Sequence, residues 1–286
     1  MKNIIFNLYR KCVNSLYGTN ISKIKFVKTT HQYVTSKLKP EHIQVFGNRM
    51  YLDPKDTSSH SIRGDQNTTE IELIKNKIKN GDVVFDIGAN IGFYTLLFAK
   101  LVGKEGKVYA FEPEPNNFAL LKKTIEFNNL KNVILEQKAV SDKNGTNFLV
   151  LSKDIGGHKI INYSTPNSLK VESICLDEYF NNFYGKINFI KIDAEGHEGK
   201  IFYGMQKLLK KNQQLHIMTE FYFKLINQSG IKPKQFLELL VNNNFKLYDM
   251  REKNDKIVPT TLEKLLQKYD NDSGATDLFC TREILS

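Results

Sequence analysis

The sequence contains no tryptophan and has only three cysteine residues, Cys12, Cys175 and Cys280, which lie far apart along its 286 residues. An odd number of widely spaced cysteines does not match the paired framework of a disulfide-rich protein, and no C-x-x-C pair indicates a zinc site. Because such sparse cysteine usage is typical of reducing compartments, we expect a cytoplasmic protein.

Long hydrophobic runs are also missing, so the sequence offers no candidate transmembrane helix. The N-terminal region is amphipathic instead. Its apolar residues recur at helical spacing and are Ile4, Ile5, Leu8, Tyr9, Cys12, Val13, Leu16 and Tyr17. Two interpretations of this predicted helix stay open. It packs against its own domain or a partner subunit, or it makes a peripheral contact with a membrane surface.

Arginine is scarce beside lysine, although the chain carries a formal net charge of +10. Excess positive charge attracts nucleic acids, anionic lipids and acidic substrates alike. Recognition of phosphates and base edges favours clustered arginines, whereas the lysines of this chain are dispersed. We therefore expect no nucleic-acid partner, and activity on RNA is kept as an alternative.

The most informative segment runs from Val83 to Pro113. A short apolar strand leads to Asp86, a turn containing Gly88 and Gly92 follows, and a helix then precedes a second strand that leads to Glu112. This order is typical of a βαβ unit that binds a nucleoside. Glu112 lies 20 residues after Gly92, the separation at which an acid can reach ribose hydroxyls.

A dinucleotide site is the obvious competitor for this segment. Its G-x-G-x-x-G fingerprint, aligned on Gly88, needs glycines where this chain has Asn90 and Phe93. An acid at Asp86 suits a ligand with a positive end, such as the sulfonium and amino group of S-adenosylmethionine. The plain structural interpretation is a βα turn whose glycines only make a tight corner.

A second segment, from Ile187 to Met205, has the same order of elements. An apolar strand is followed by the acids Asp193 and Glu195, by Gly196 and by a predicted helix. Ligands of open α/β sheets bind beyond the carboxyl ends of the strands. A carboxylate there can orient a hydroxyl, accept its proton or help to hold a hard cation. Glu198 has a simpler interpretation, since acids favour the first turn of a helix.

These segments resemble the FkbM family of S-adenosylmethionine-dependent methyltransferases, and the resemblance covers roughly Ile43 to Cys280. The matching motifs are DIGANIG from Asp86 to Gly92, FEPEPNN from Phe111 to Asn117, KAVSD from Lys138 to Asp142, KIDAEGHEGKIFYGM from Lys191 to Met205, and TEF from Thr219 to Phe221. In the family's D-x-E-G-x-E pattern, the residue before the final acid varies. His197 occupies that position, so the resemblance implies no role for it.

The resemblance also implies which residues form the site. The expected cofactor-binding residues are Asp86, Gly88, Ala89, Asn90, Gly92, Glu112, Ala139 and Val140. Ala139 and Val140 belong to a turn that usually lies against the adenine in this fold. Asp193 and Glu195 are the expected catalytic residues, and they are also the candidate ligands for a divalent cation, whose need stays open.

We expect an N-terminal extension over residues 1–70, made of the amphipathic helix and a β-hairpin around Gly47-Asn48, and a methyltransferase domain over residues 71–286. Alternating strands and helices predict an α/β domain, with a mostly parallel sheet and helices on both faces. The resemblance implies a Rossmann-like class I methyltransferase fold with seven strands. One helix is predicted from Gly199 to Lys210.

The predicted activity is methyl transfer from S-adenosylmethionine to a hydroxyl of a sugar, a glycan or a sugar-bearing small molecule, the acceptors typical of the family. An RNA methyltransferase of the same fold is one alternative. A nucleoside-binding protein that has lost the chemistry is another, from a different functional class. The acids at three strand ends argue against loss of the chemistry.

Overall fold

The computed structural model describes residues 5, 6, 9, 13, 38–54, 60, 64, 68–151, 158–252, 256–270 and 274–285. Most of the predicted N-terminal amphipathic helix lies outside these residues. No helix in the described part of the chain is long and apolar enough to span a membrane.

The predicted hairpin is present as β1 (His42–Val45) and β2 (Asn48–Tyr51). Its turn lies at Phe46 and Gly47, one residue earlier than predicted, and both residues have positive φ angles of 52° and 88°. The pairing of Val45 with Asn48 leaves a two-residue turn between them, and positive φ at both positions is characteristic of a type I′ turn. The division of the chain at residue 70 stays a prediction.

The main sheet of the described residues contains eight strands in the order β13-β12-β14-β11-β10-β3-β4-β5. In chain order they are β3 (Val83–Ile87), β4 (Lys107–Phe111), β5 (Val133–Glu136), β10 (Phe189–Ile192), β11 (His216–Tyr222), β12 (Lys246–Glu252), β13 (Lys256–Thr260) and β14 (Ala275–Thr281). Only β13 and β14 run against the others. The predicted α/β fold is confirmed, with β13 added at one edge as an eighth strand.

Helices cover both faces of this sheet. They are α1 (Thr69–Lys77), α2 (Phe93–Val102), α3 (Pro115–Phe127), α4 (Leu176–Tyr179), α5 (Glu198–Tyr203), α6 (Gln206–Lys211), α7 (Phe223–Gln228), α8 (Pro233–Asn242) and α9 (Leu262–Tyr269). One core packs Phe202 and Phe236 against the sheet. The other packs Leu96 and Leu121 against the opposite face. The predicted two-sided arrangement of helices is therefore confirmed.

The single helix predicted from Gly199 to Lys210 is wrong, because the structure divides it into α5 and α6. The division is at Gly204, where an added Cβ would lie 2.1 Å from the backbone oxygen of Ser141. The close approach of the backbone of Ser141 leaves no room for a side chain here, and glycine also weakens a helix at this position. At this bend the chain after α5 contacts the backbone of Ser141 and Asp142.

A separate four-stranded sheet contains β6 (Ala139–Ser141), β7 (Gly145–Val150), β8 (Lys159–Ile161) and β9 (Ser168–Cys175), in the order β6-β9-β7-β8. The prediction of a turn at Ala139 to Ser141 is wrong, since these residues pair in parallel with β9. The partner strand begins 27 residues after Ser141, so the sequence near the turn contains no sign of this pairing.

Candidate active site

The candidate site lies where three neighbouring parallel strands end. Ile87 of β3 pairs with Phe111 of β4 and with Ile192 of β10, so the three strands end at the same level. The backbone amide of Gly88 donates to the oxygen of Phe111 at 2.9 Å, and that of Asp193 donates to the oxygen of Ile87 at 3.0 Å. The structure thus brings the predicted turn and both predicted acid positions to one edge of the sheet.

Glu112 binds the turn that follows β3. Its Oε2 accepts a hydrogen bond from the backbone amide of Asn90 at 2.7 Å, and its Oε1 accepts one from the amide of Glu114 at 2.9 Å. The side chain is buried, and burial raises the pKa of Glu112 to about 7, although the two amide donors act in the opposite direction. Because both oxygens are held by the backbone, this carboxyl group has a defined orientation at the end of β4.

Asp86 lies inside β3 and is fully buried. Its Oδ2 accepts a hydrogen bond from Thr95 Oγ1 at 2.5 Å, whereas its Oδ1 has no hydrogen-bond partner among the described residues. Burial raises the pKa of Asp86, and the nearby charge of Lys191 opposes this effect. A buried carboxyl oxygen without a partner is costly, so Asp86 is suited to a ligand that offers a donor or a positive charge.

Gly88 and Gly92 allow the close approach of other parts of the protein, the backbone of Asp193 and the side chain of Leu121. An added Cβ on Gly88 would lie 1.9 Å from the backbone oxygen of Asp193, and one on Gly92 would lie 2.6 Å from Cδ1 of Leu121. Both residues also have positive φ angles, of 81° and 99°, which glycine adopts without strain. Their contact with a cofactor stays a prediction, as does that of Ala89, which is buried at 5% exposure.

Ala139 and Val140 are buried in β6. The next residue, Ser141, has its Oγ 2.9 Å from Nε2 of His197, a hydrogen bond that joins β6 to the loop after β10. Burial, with Lys200 nearby, lowers the pKa of His197 to about 3, so its imidazole is neutral at physiological pH. His197 therefore links two parts of the site as a neutral imidazole.

The predicted catalytic acids differ in their surroundings. Asp193 is exposed, with 46% of its side chain accessible, and its Oδ2 lies 3.0 Å from Nζ of Lys191. Glu195 is half-buried and has a positive φ of 51°, an uncommon conformation outside glycine. Burial, with the charges of Asp193 and Glu198, raises the pKa of Glu195 to about 8. Asp193 is thus open to solvent and paired with a cation, whereas Glu195 is protonated to a higher pH than an ordinary glutamate.

Glu198 holds the loop that carries these acids. Its Oε1 accepts hydrogen bonds from the backbone amides of Ala194 at 2.9 Å and Gly196 at 3.3 Å. Glu198 is also the first residue of α5. Both observations agree with a structural role for Glu198 as an acid in the first turn of a helix. Burial raises the pKa of Glu198 to about 7.

Sequence reasoning missed four residues of this edge. Lys191 and Glu220 lie within strands β10 and β11, and Tyr94 of α2 donates from its hydroxyl to Oε1 of Glu70 of α1 at 2.5 Å. Burial, reinforced by the charge of Asp193, raises the pKa of Glu220 well above its usual value. A signal existed for Lys191, because it interrupts the otherwise apolar strand β10, whereas β11 contains other polar residues beside Glu220.

Two of the acids were also candidate ligands for a cation. In the part of the chain that the structure describes, no group of three or more histidine, cysteine, aspartate or glutamate side chains is arranged to hold a metal ion. A cation held by Asp193 and Glu195 therefore stays a prediction.

Comparison with known proteins agrees with this geometry. Residues 86–247 match the family model described as the methyltransferase FkbM domain. The hexuronic acid methyltransferase AglP of Haloferax volcanii is 29% identical over 182 residues, which are 63% of this chain and 69% of that protein. The 31-O-demethyl-FK506 methyltransferase FkbM of Streptomyces tacrolimicus is 40% identical over 78 residues, 27% of this chain and 29% of that protein.

A crystal structure of a methyltransferase FkbM from Methylobacillus flagellatus has a TM-score of 0.44 and 11% identity, covering 89% of this chain and 59% of that one. A likeness of this size is weak. The order of the strands and the helices on both faces of the sheet establish the α/β fold.

Proposed function

This chain belongs to the FkbM family of methyltransferases, and we propose that it transfers a methyl group from S-adenosylmethionine to a hydroxyl of a sugar, a glycan or a sugar-bearing small molecule. The observation that carries the proposal is that three acids lie at one edge of three adjacent parallel strands. Asp86 is the last residue but one of β3, and Glu112 and Asp193 directly follow β4 and β10. Ligands of open α/β sheets bind at this edge.

The residues present fit such a cofactor. When bound, S-adenosylmethionine supplies a methyl group on a positively charged sulfur. Asp86 has a buried oxygen without a partner among the described residues, which suits a donor or a cation. Glu112 is held by two backbone amides and keeps lone pairs that can accept from ribose hydroxyls. Contact of an aromatic base with Ala139 and Val140 rests on the family resemblance, because both side chains are packed in the apolar core.

Asp193 and Glu195 are proposed to act on the acceptor. The exposed carboxylate of Asp193 can accept a hydrogen bond from a hydroxyl and take its proton, while Glu195 can orient the same group. Positioning of the hydroxyl supplies much of the rate in such a reaction. A divalent cation that is held by these two acids is an additional proposal, and chelation tests it.

The sugar acceptor is supported by the relatives. One relative is named as a hexuronic acid methyltransferase, and another is named for a 31-O-demethyl substrate, which describes methylation at an oxygen. The dispersed lysines support a small-molecule or glycan acceptor over RNA. Contact of the N-terminal helix with a membrane is a further proposal that this function does not require.

Calorimetry tests the cofactor. The protein should bind S-adenosylhomocysteine and should not bind NAD, because the dinucleotide glycines are absent. Tight binding of NAD without any response to S-adenosylhomocysteine would refute the proposal.

Labelled methyl groups test the acceptor. Protein and methyl-labelled S-adenosylmethionine are incubated with a cell extract, which is then separated into glycan, small-molecule and nucleic-acid fractions. Label should enter the glycan or small-molecule fraction. Label that ribonuclease releases would support the RNA alternative.

A further inference from the structure

The turn between β1 and β2 contains a buried aromatic residue, although turns usually lie at the protein surface. Phe46, the first residue of this two-residue turn, is only 8% exposed. The centre of its ring lies 5.2 Å from that of Phe93. Phe93 is the first residue of α2 and directly follows Gly92, the last residue of the proposed cofactor turn (residues 88–92). The hairpin thus contacts the end of the cofactor turn through an aromatic pair.

The second strand of the hairpin is fixed to α3. The backbone amide of Arg49 donates to Oδ1 of Asn128 at 2.9 Å, and Nδ2 of Asn128 donates to the backbone oxygen of Arg49 at 2.6 Å. The amide of Tyr51 donates to Oγ1 of Thr124 at 3.1 Å. The guanidinium group of Arg49 also lies 3.9 Å from the centre of the Phe127 ring. These bonds give β2 a defined position on the helix.

The two helices that contact the hairpin follow the two proposed cofactor-binding segments. α2 begins after Gly92, and α3 begins at Pro115, close to the amide of Glu114 that binds Oε1 of Glu112. Apolar residues of the hairpin region and of both helices belong to one buried core, which includes Val45, Met50, Leu52, Leu96 and Leu121. The hairpin therefore bridges the helix after the cofactor turn and the helix after Glu112.

The cofactor turn has a backbone that needs support from its surroundings. Gly88, Asn90 and Gly92 have positive φ angles of 81°, 52° and 99°. Asn90 is exposed and is not a glycine, and such a conformation persists only where the surrounding structure holds it. The amide of Asn90 donates to Oε2 of Glu112 at 2.7 Å. Packing of Phe93 against the hairpin fixes the point at which the turn becomes a helix.

We infer that Phe46 is a positioning residue, which packs against Phe93 and thereby holds the cofactor turn in the conformation that binds S-adenosylmethionine. This inference deepens the proposed function and rests on it for the identity of the ligand. The ring of His60 also stacks on Phe93, with centres 4.8 Å apart and 14° between the planes. The backbone contact of Gly88 with Asp193 fixes the start of the turn, and Phe46 fixes its end.

A purely structural role for Phe46 makes a different prediction. If its ring only fills the core, Phe46→Ala would lower the melting temperature and leave the turn unchanged in molecules that stay folded. If Phe46 holds the turn, the turn should open locally, since local opening needs less free energy than global unfolding. Hydrogen exchange of the Asn90 amide separates the two cases, because its bond to Glu112 holds the turn closed. Exchange is measured well below the melting temperature of each variant.

In Phe46→Ala, the amide of Asn90 should exchange about 10-fold faster than in the wild type or more. S-adenosylhomocysteine should bind more weakly by a similar factor, because the apparent affinity falls with the fraction of molecules in the binding conformation. Phe46→Met, which keeps much of the apolar volume, should restore most of both properties. Unchanged exchange of Asn90 in Phe46→Ala would overturn the inference and leave the proposed function intact.

Two control variants should leave the turn unchanged. Phe127→Ala removes another ring that contacts the hairpin, at the last residue of α3. Leu265→Ala removes a fully buried side chain from α9 in the other core, so it should lower the melting temperature without changing the exchange of Asn90. Exchange of Asn90 that is as fast in either control as in Phe46→Ala would overturn a specific role for Phe46.

The wild-type protein supplies a test that covers a failure of Phe46→Ala to fold. If the hairpin holds the turn, a ligand on the turn must stabilise the hairpin, because coupling is reciprocal. Saturating S-adenosylhomocysteine should slow exchange of the Leu52 amide, which donates to the oxygen of Glu41 at 2.9 Å, and leave the Leu265 amide unchanged. No change at Leu52 would overturn the inference. Wild-type protein that binds no S-adenosylhomocysteine would instead refute the proposed function.

Discussion

A Cβ atom added to Gly88 would lie 1.9 Å from the backbone oxygen of Asp193, so the turn after β3 and the loop after β10 touch through their backbones. The first segment carries the proposed cofactor contacts, and the second carries the proposed catalytic acids. The relative position of the two is set by this contact. A change at Gly88 should therefore disturb both binding and chemistry.

Gly88→Ala tests this contact, with Gly47→Ala as its control. Both glycines have similar positive φ angles, 81° and 88°, but no atom of the described residues lies within 4 Å of an added Cβ on Gly47. Gly47→Ala should lower the free energy of unfolding only by the cost of a left-handed backbone conformation in alanine, about 1–2 kcal/mol. Gly88→Ala should lower the free energy of unfolding by more than this and should also bind S-adenosylhomocysteine more weakly. Thermal unfolding and calorimetry measure the two effects, and equal losses in the two variants would contradict the contact.

Much of this site could be predicted because its signals are local. Glu112 and Asp193 each follow an apolar strand, Asp86 is the last residue but one of β3, and parallel strands end at one edge of a sheet. Gly88 could also be identified from the sequence. The contact of Gly88 with the backbone of Asp193 could not be predicted, because these residues come together only when β3 and β10 pair.

The pairing of β6 with β9, the break at Gly204 and the ion pair of Lys191 were not predicted, because they depend on tertiary structure. The exposed residues Lys170 and Glu172 also weaken the apolar pattern of β9. The break at Gly204 follows from the nearby backbone of Ser141. Lys191 could be seen as a lysine in an apolar strand, but its pairing with Asp193 depends on a side-chain direction that the sequence does not contain.

Glu112→Gln should weaken cofactor binding without unfolding the protein. The carboxylate now accepts from the amides of Asn90 and Glu114. An amide side chain would direct an N–H group at one of these donors and would lose an acceptor for ribose. Hydrogen bonds to charged groups contribute about 1.5–3 kcal/mol, so affinity for S-adenosylhomocysteine should fall about 10-fold or more. Glu105→Gln, a change of an exposed residue, is the control in the same calorimetry. If Glu112→Gln binds S-adenosylhomocysteine as tightly as the wild type, Glu112 is not part of the cofactor site.

Stability should fall as the pH rises from about 6.5 to 9, the range above the ordinary histidine pKa. Burial raises the pKa of Glu195 to about 8, and that of Glu220 is raised well above its usual value. The folded state therefore binds more protons than the unfolded state in this range, and its stability decreases with pH. His197, whose pKa is lowered, acts in the opposite sense but only below this range.

Melting temperatures across this range measure the effect. Glu220→Gln cannot ionise, so its decline should be shallower than that of the wild type, whereas the exposed Glu105→Gln should follow the wild type. A wild-type melting temperature that stays level or increases toward pH 9 would contradict the raised pKa values of these buried acids.

Asp193→Asn and Glu195→Gln should fold normally and bind cofactor, yet lose methyl transfer. Neither side chain lies in the packed core, since Asp193 is exposed and Glu195 is half-buried. If the two acids only shaped the loop before α5, amides of the same size would be tolerated, because Glu198 holds that loop through Ala194 and Gly196. If they handle the proton of the acceptor, transfer should fall by about 100-fold or more, the low end for general acid–base catalysis.

Three measurements on each variant decide between these roles: the melting temperature, the affinity for S-adenosylhomocysteine, and the transfer of labelled methyl groups to the extract fraction that the wild type labels. Asp270→Asn, an exposed change far along the chain, is the control. Near-normal transfer in both variants would return Asp193 and Glu195 to a structural role, and loss of cofactor binding alone would assign them to the cofactor site. Inhibition by a chelator that a divalent cation reverses would indicate metal-assisted chemistry, because direct proton transfer to a carboxylate needs no cation.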